Sequence, residues 1–331
     1  MSVIALAIGD PNGIGPEIAV KAALRFAQER AEPRVVLLGD EKVIRFYAEQ
    51  YGAGDRLMRF EAKPASDRLL FFPVDVLDAA SFQPGTSSAA GGRATIAYIE
   101  AALGLVDAGR ATAIVACPHS ETSVNAAGIA FSGYPGLLAR LKRLPEDEVF
   151  LMLVGGGLRI VHVTLHERLH DALARIDSRL IAAAVRAGAG ALRQLGIASP
   201  KLGIFGINPH AGESGLFGDD DTRIVAPSVA TLKSEGYAVE GPIGADLMIG
   251  RHDLDAFVAM YHDQGHIPVK LLAGRNSAAM SIGAGLIFST VGHGSGFDIA
   301  GRNIADCEPI LRSLRLVAGA THLGAEEGTR A

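Results

Sequence analysis

The chain has 331 residues, of which 49% are hydrophobic and 20% charged, and its net charge is −5. That length exceeds one small core and implies two domains sharing a cleft, and the apolar share excludes a disordered chain. No run of Lys or Arg stands out, which argues against a nucleic acid or an anionic membrane as partner. The opening Met1-Ser2-Val3-Ile4-Ala5-Leu6-Ala7-Ile8 has no basic leader and is too short an apolar run for a signal peptide or a membrane span, so a cytoplasmic location is expected. The only two cysteines, Cys117 and Cys307, are far apart and read as small buried hydrophobes.

Apolar runs with the length of buried strands occur at residues 4–8, 35–38, 70–74, 113–116, 149–154, 160–163, 202–205, 257–261 and 287–290. Helical patterns lie between them. One starts near Pro16, since proline is tolerated at a first helical position. A second, Ala-rich, spans roughly 89–108 and closes at Gly109. A third starts after Asp177 or Ser178, carries Ile181, Ala184, Val185, Gly188, Ala191, Leu192 and Leu195 at helical spacing, and stops at Gly196. Alternation on this scale predicts an α/β fold with largely parallel sheets. No interdomain linker is visible, so the chain is expected to leave the first domain and return. The polar tail after Leu323 is expected to fray.

Three of the apolar runs lead to a histidine: His166 after residues 160–163, His210 after 202–205, and His262 after 257–261. In open α/β sheets ligands gather beyond the carboxyl ends of the strands. Three neutral imidazoles at such ends suit a divalent metal with an open position. Asp263 follows His262, and Asp246 stands in Gly244-Ala245-Asp246; each either orients an imidazole or takes a proton. Lys270 is a candidate for holding a substrate carboxylate. His162, His170 and His266 read as structural. The turn Gly9-Asp10-Pro11-Asn12-Gly13-Ile14-Gly15-Pro16-Glu17 joins the first strand to the first helix, where close backbone approach and free N–H groups would suit an anion. It lacks the spacing of a dinucleotide fingerprint. The glycine-rich stretch from Gly292 to Asn303 implies irregular backbone at a ligand, and an acid there would accept hydrogen bonds from a ribose diol.

The Gly9–Glu17 turn, Met260-Tyr261-His262-Asp263-Gln264-Gly265 and His293-Gly294-Ser295 together resemble the 4-hydroxythreonine-4-phosphate dehydrogenase family over almost the whole chain. The resemblance implies a two-domain fold like that of isocitrate and isopropylmalate dehydrogenases. Residues 1–130 plus 290–331 would form one α/β domain, and 131–289 a second with metal ligands and dimer contacts. It implies His166, His210 and His262 as ligands of a divalent metal, zinc first among them, and NAD held by His293, Gly294, Ser295, Asp298 and Asp306. It also implies a homodimer in which one histidine reaches the site from the neighbouring subunit.

Glu121, Tyr134-Pro135, Ala279 and Phe288 stand where phosphate-binding members carry a lysine, a His-Thr pair, an asparagine and an arginine. Loss of the two cations removes donors that a phosphate dianion needs. The segments around Cys117, Phe131, Met152 and His166 instead resemble the members of the family that act on cis-dihydrodiol dicarboxylates. The implied reaction is an NAD-dependent oxidation and decarboxylation of such a diol to protocatechuate, with His119, Tyr134 and Lys270 at the substrate and Lys270, Asp246 and Asp263 as catalytic candidates. Alternatives are a dehydrogenase of 4-hydroxythreonine 4-phosphate or of an erythronate or threonate phosphate, a metal-dependent hydrolase, and a ligand-binding sensor.

Overall fold

The computed structural model describes residues 2–30, 32–60, 68–131 and 133–319, the Arg275 side chain excepted. The tail beyond 319, expected to fray, lies outside the described residues. The chain divides into two compact units, one formed by Met1–Gly133 with Leu286–Ala320 and the other containing Tyr134–Gly285.

The first unit opens with β1 (Val3–Ala7), α1 (Gly15–Glu29), β2 (Arg34–Gly39), α2 (Glu41–Gln50), β3 (Leu57–Arg59) and β4 (Leu69–Pro73). It continues through α3 (Ala89–Asp107), β5 (Ala113–Ala116) and α4 (Glu121–Ala126). The second unit holds α5 (Tyr134–Lys142), β6 (Phe150–Gly155), β7 (Leu158–His162), α6 (Leu169–Arg175), α7 (Ser178–Gln194) and β8 (Lys201–Phe205). Then follow α8 (Ala226–Ser234), β9 (Ala238–Ile243), α9 (Ala245–Met248), β10 (Ala256–Ala259), α10 (His262–Ala273) and β11 (Ala278–Ile282). The chain then re-enters the first unit as β12 (Ile287–Val291) and α11 (Glu308–Val317).

In the first unit the strands lie in the order β3-β4-β2-β1-β5-β12, all parallel. All five residues of β1 are buried, as expected of a strand covered by helices on both faces. In the second unit the order is β11-β6-β7-β10-β8-β9. Here β7, β10, β8 and β9 run parallel, while β6 is antiparallel to both β7 and β11.

The three expected helices form, one of them with its expected cap and another with a cap that the sequence reading did not name. Asp177 accepts a hydrogen bond from Leu180 N–H at the start of α7, and Ser88 does the same for Gly91 at the start of α3. Three strands escape a reading by apolar runs. β3 is a three-residue edge, β9 contains Gly241-Pro242 and a register shift against β8, and β11 is Ala-Ala-Met-Ser-Ile. Edge position and Gly-Pro content dilute the apolar signal. Both cysteines are buried, and among the described residues no helix is long and apolar enough to cross a membrane.

Candidate active site

Strands β7, β10 and β8 are neighbours and parallel, so their carboxyl ends lie together at one edge of the second unit. His162 ends β7 and His166 follows it by four residues; His262 opens α10 just beyond β10; His210 lies five residues beyond β8. The register Ala259↔His162 brings the β7 and β10 ends level. The His166 and His262 rings have centroids 5.4 Å apart. They border an open hollow of about 610 Å³, together with Leu165, Leu169, Tyr261 and Asp263.

His210 has different company. Its Nδ1 lies 3.1 Å from Glu213 Oε2, and its ring packs edge-on to Phe217. Residues 210–214 all have positive φ, from 42° to 85°, although only Gly212 is a glycine. A left-handed turn of non-glycine residues is strained. The buried Asp221 carboxylate holds its entrance, accepting from Ile207 N–H at 2.7 Å and Asn208 N–H at 3.0 Å. Within the single chain, no group of three His, Cys, Asp or Glu able to hold a metal occurs among the described residues.

Asp263 Oδ1 stands 2.7 Å from His262 Nδ1, an arrangement that leaves Nε2 as the bare nitrogen. With His166 exposed beside it, this donor set fits a divalent ion. Of the two roles open to Asp263, orienting the imidazole is the one that this contact serves. Asp246 is exposed in the first turn of α9; a β-carbon on the adjacent Gly244 would stand 2.8 Å from its Oδ1 and 3.5 Å from the His210 α-carbon. Lys270 is half-buried, donates to Ser277 Oγ at 3.1 Å, and is held below the ordinary lysine range by burial. His262, His266 and Lys270 recur every fourth residue on α10, so one face of that helix carries all three.

Two histidines read as structural belong to this cluster. His162 is buried and hydrogen-bonded to His266, which stacks on His262. The spacing of His262 and His266 on one helix was the available signal. His170 is exposed and, among the described residues, pairs with the neighbouring Asp171. Burial pushes His162 down to about 3, and in the first unit burial pushes His119 down to about 4. Both are therefore neutral in the fold, while below about 6.5 the unfolded chain takes a proton on each. Stability from these groups is complete above that value and declines as pH falls toward the folded values, by about 1.4 kcal/mol per pH unit for each deeply buried imidazole. Urea midpoints measured near neutrality and near pH 5 check this, and His162→Leu should flatten the dependence.

The nucleotide candidates lie in the first unit. Ile14 N–H donates to Ser295 O at 2.8 Å, and a β-carbon on Gly13 would stand 2.8 Å from the same oxygen, so the glycine turn packs directly under the 293–301 segment. Asn12 ties in a third segment by accepting from Gln83 and Gly85 N–H and donating to Ser81 O. Glu17 accepts from Lys21 and from Ala305 N–H, both at 2.7 Å. Ser295 Oγ is buried without a partner among the described residues, and Gly294 and Asp298 are exposed. An orphaned hydroxyl beside open glycine backbone fits a bound polar ligand. His293 Nδ1 stands 3.2 Å from Gly294 O, and Asp306 accepts from Glu308 N–H at the start of α11. Asp10 is fully buried, accepts from Asn12 N–H, and is raised above the usual carboxylate range by burial. Gly9 has φ +75°, and a β-carbon there would lie 2.2 Å from Pro118 O. Gly9→Ala should cost about 3 kcal/mol, read by urea unfolding, from backbone strain and overpacking together.

The substrate candidates are mixed. The largely buried His119 packs edge-on to Phe131, 4.7 Å between centroids. Tyr134 is buried in the first turn of α5. Phe288, one of the residues standing where phosphate-binding members carry other side chains, is fully buried in β12, and Ala279 packs against the core of the second unit. The side-chain alternation of a strand turned Phe288 inward.

A model of the pyridoxal phosphate biosynthetic protein PdxA matches residues 30–317. The chain is 45% identical over 329 residues to a 1,2-dihydroxy-3,5-cyclohexadiene-1,4-dicarboxylate dehydrogenase of Comamonas sp., covering 98% of each. A crystal structure of a terephthalate 1,2-cis-dihydrodiol dehydrogenase from Burkholderia xenovorans is 54% identical with a TM-score of 0.77, over 96% of this chain and 98% of that one. A 4-hydroxythreonine-4-phosphate dehydrogenase structure from Klebsiella pneumoniae is 31% identical with a TM-score of 0.84, over 97% and 100% of the two chains. The match over residues 30–317 and the near-complete coverage of relatives 31% to 54% identical agree: this chain belongs to the PdxA family.

Proposed function

We propose that the protein is an NAD-dependent dehydrogenase that oxidises and decarboxylates a cis-dihydrodiol dicarboxylate, 1,2-dihydroxy-3,5-cyclohexadiene-1,4-dicarboxylate, to protocatechuate. The observation that carries the reading is the pairing of His166 and His262 at the ends of adjacent parallel strands, with His210 beyond the next one. The names of the two dihydrodiol relatives support the substrate class.

His166, His262 and His210 would hold a divalent ion, zinc being the best match to an all-imidazole set. Such an ion supplies Lewis acidity, easing loss of the alcohol proton and polarising a neighbouring carbonyl. The rest is the work of this chain's residues. Asp263 keeps the His262 ring in the tautomer that presents Nε2. Lys270 pairs with a substrate carboxylate, and Asp246 takes the proton of the secondary alcohol. His293, Gly294, Ser295 and Asp298 would hold NAD, with Asp306 bracing the end of the segment, and the bound nucleotide would supply the acceptor for the hydride lost from that carbon. The new ketone lies β to a carboxylate. The carbon–carbon bond to that carboxylate breaks, carbon dioxide leaves, and the electron pair forms the third double bond of the ring as the ketone becomes an aromatic phenolate, which takes up a proton.

His210 would come from a second copy of the chain. The second unit exposes Leu169, Leu216, Leu247, Ile267, Leu271 and Leu272, with Leu271 82% exposed. Apolar exposure on this scale around a site favours a protein interface, and a homodimer with two-fold symmetry is the simplest one. The test is NADH formation from the dihydrodiol by zinc-replete protein, with protocatechuate and carbon dioxide identified as products; turnover without nucleotide would reject the reading in favour of hydrolysis.

A further inference from the structure

Behind His262 stands a pair of imidazoles that the chemistry above leaves unused. His162 is 1% exposed at the end of β7. Its Nδ1 lies 3.4 Å from Leu151 O, and its Nε2 lies 3.0 Å from His266 Nδ1. A carbonyl oxygen only accepts, so the His162 proton belongs on Nδ1. Its Nε2 then accepts from His266 Nδ1–H, which leaves the His266 Nε2 lone pair bare.

The His266 ring lies on the His262 ring, with centroids 3.8 Å apart and planes inclined by 12°. Gly265 makes room for the arrangement, because a β-carbon at that position would stand 2.3 Å from His162 Nε2. His262 is thus held at Nδ1 by Asp263 and across its face by His266. An apolar residue at 266 would fill the same space without fixing the plane of the ring above it. The directional element is the hydrogen bond to His162, which is itself anchored to the β6 backbone at Leu151.

We propose that His162 and His266 are positioning residues whose hydrogen bond holds the His266 ring flat against His262 and so sets the direction of His262 Nε2. The proposal rests on the reading of His262 as a metal ligand, and it adds two residues that do not touch the ion. Partners that orient a ligating imidazole govern its affinity for the metal by about ten- to a hundredfold.

The test uses the full-length apoprotein, titrated with zinc against a chromophoric chelator, together with histidine nitrogen spectra of the metal-free protein. His162→Leu and His266→Leu should each weaken zinc binding about ten- to a hundredfold, with the NAD dissociation constant unchanged. His162→Gln, which restores an acceptor facing His266, should recover most of the loss. The spectra should show His266 as a single Nδ1–H tautomer in the wild type and as a mixture in His162→Leu. Wild-type zinc affinity in both leucine variants overturns the proposal. Wild-type affinity in His262→Ala instead removes His262 as a ligand. In that case the spectra decide the positioning claim alone, and a His262 signal unchanged in both leucine variants rejects it.

Discussion

His210→Ala and His262→Ala should each reduce kcat/KM by at least about a thousandfold, roughly 4 kcal/mol of transition-state stabilisation, while leaving the urea midpoint near that of the wild type. Stability should hold because His210 is exposed and His262 sits at a helix start rather than in the core. The decisive experiment mixes the two inactive variants under conditions that exchange subunits. If His262 of one copy and His210 of the other share a site, each mixed dimer has one intact and one doubly altered site. About a quarter of wild-type activity should return, since half of random dimers are mixed and each of those has one working site. No recovery on mixing would mean that each chain completes its own site, contrary to the company His210 keeps here with Glu213 and Phe217.

Selectivity is the second large effect. Zinc-replete protein should prefer the dihydrodiol dicarboxylate over 4-hydroxythreonine 4-phosphate by at least about a thousandfold in kcat/KM, because a site without the cationic donors for a phosphate group cannot repay that group's desolvation. The positions that would carry those donors hold Glu121, an acid exposed in the first turn of α4, and the uncharged Ala279 and Phe288, the latter fully buried. Initial NADH formation at subsaturating concentrations of each substrate measures the ratio directly. Comparable rates would place the protein with the phosphate-specific dehydrogenases instead.

The parts of the molecule legible in the sequence are those that local pattern controls. Buried parallel strands are continuous apolar runs, so β1, β5, β8 and β12 stand out from residue order alone. The cap at Asp177 marks a helix start because a side chain there satisfies a free N–H. β9 and β11 do not stand out, since one carries Gly-Pro and the other is mostly small residues. The left-handed turn of residues 210–214 is equally hidden. Nothing in Pro209-His210-Ala211-Gly212-Glu213 requires positive φ; the turn is imposed by Asp221, eleven residues beyond His210.

By itself the sequence determined that an α/β chain would send histidines past the ends of several strands, because strand length and side-chain type are local properties. Which imidazoles touch was decided only in three dimensions. Pairing of β7 with β10 in the register Ala259↔His162 sets His166 beside His262, and the absence of a side chain on Gly265 lets His162 reach His266. Contact between residues a hundred positions apart depends on strand register and backbone clearance, and no local pattern encodes either.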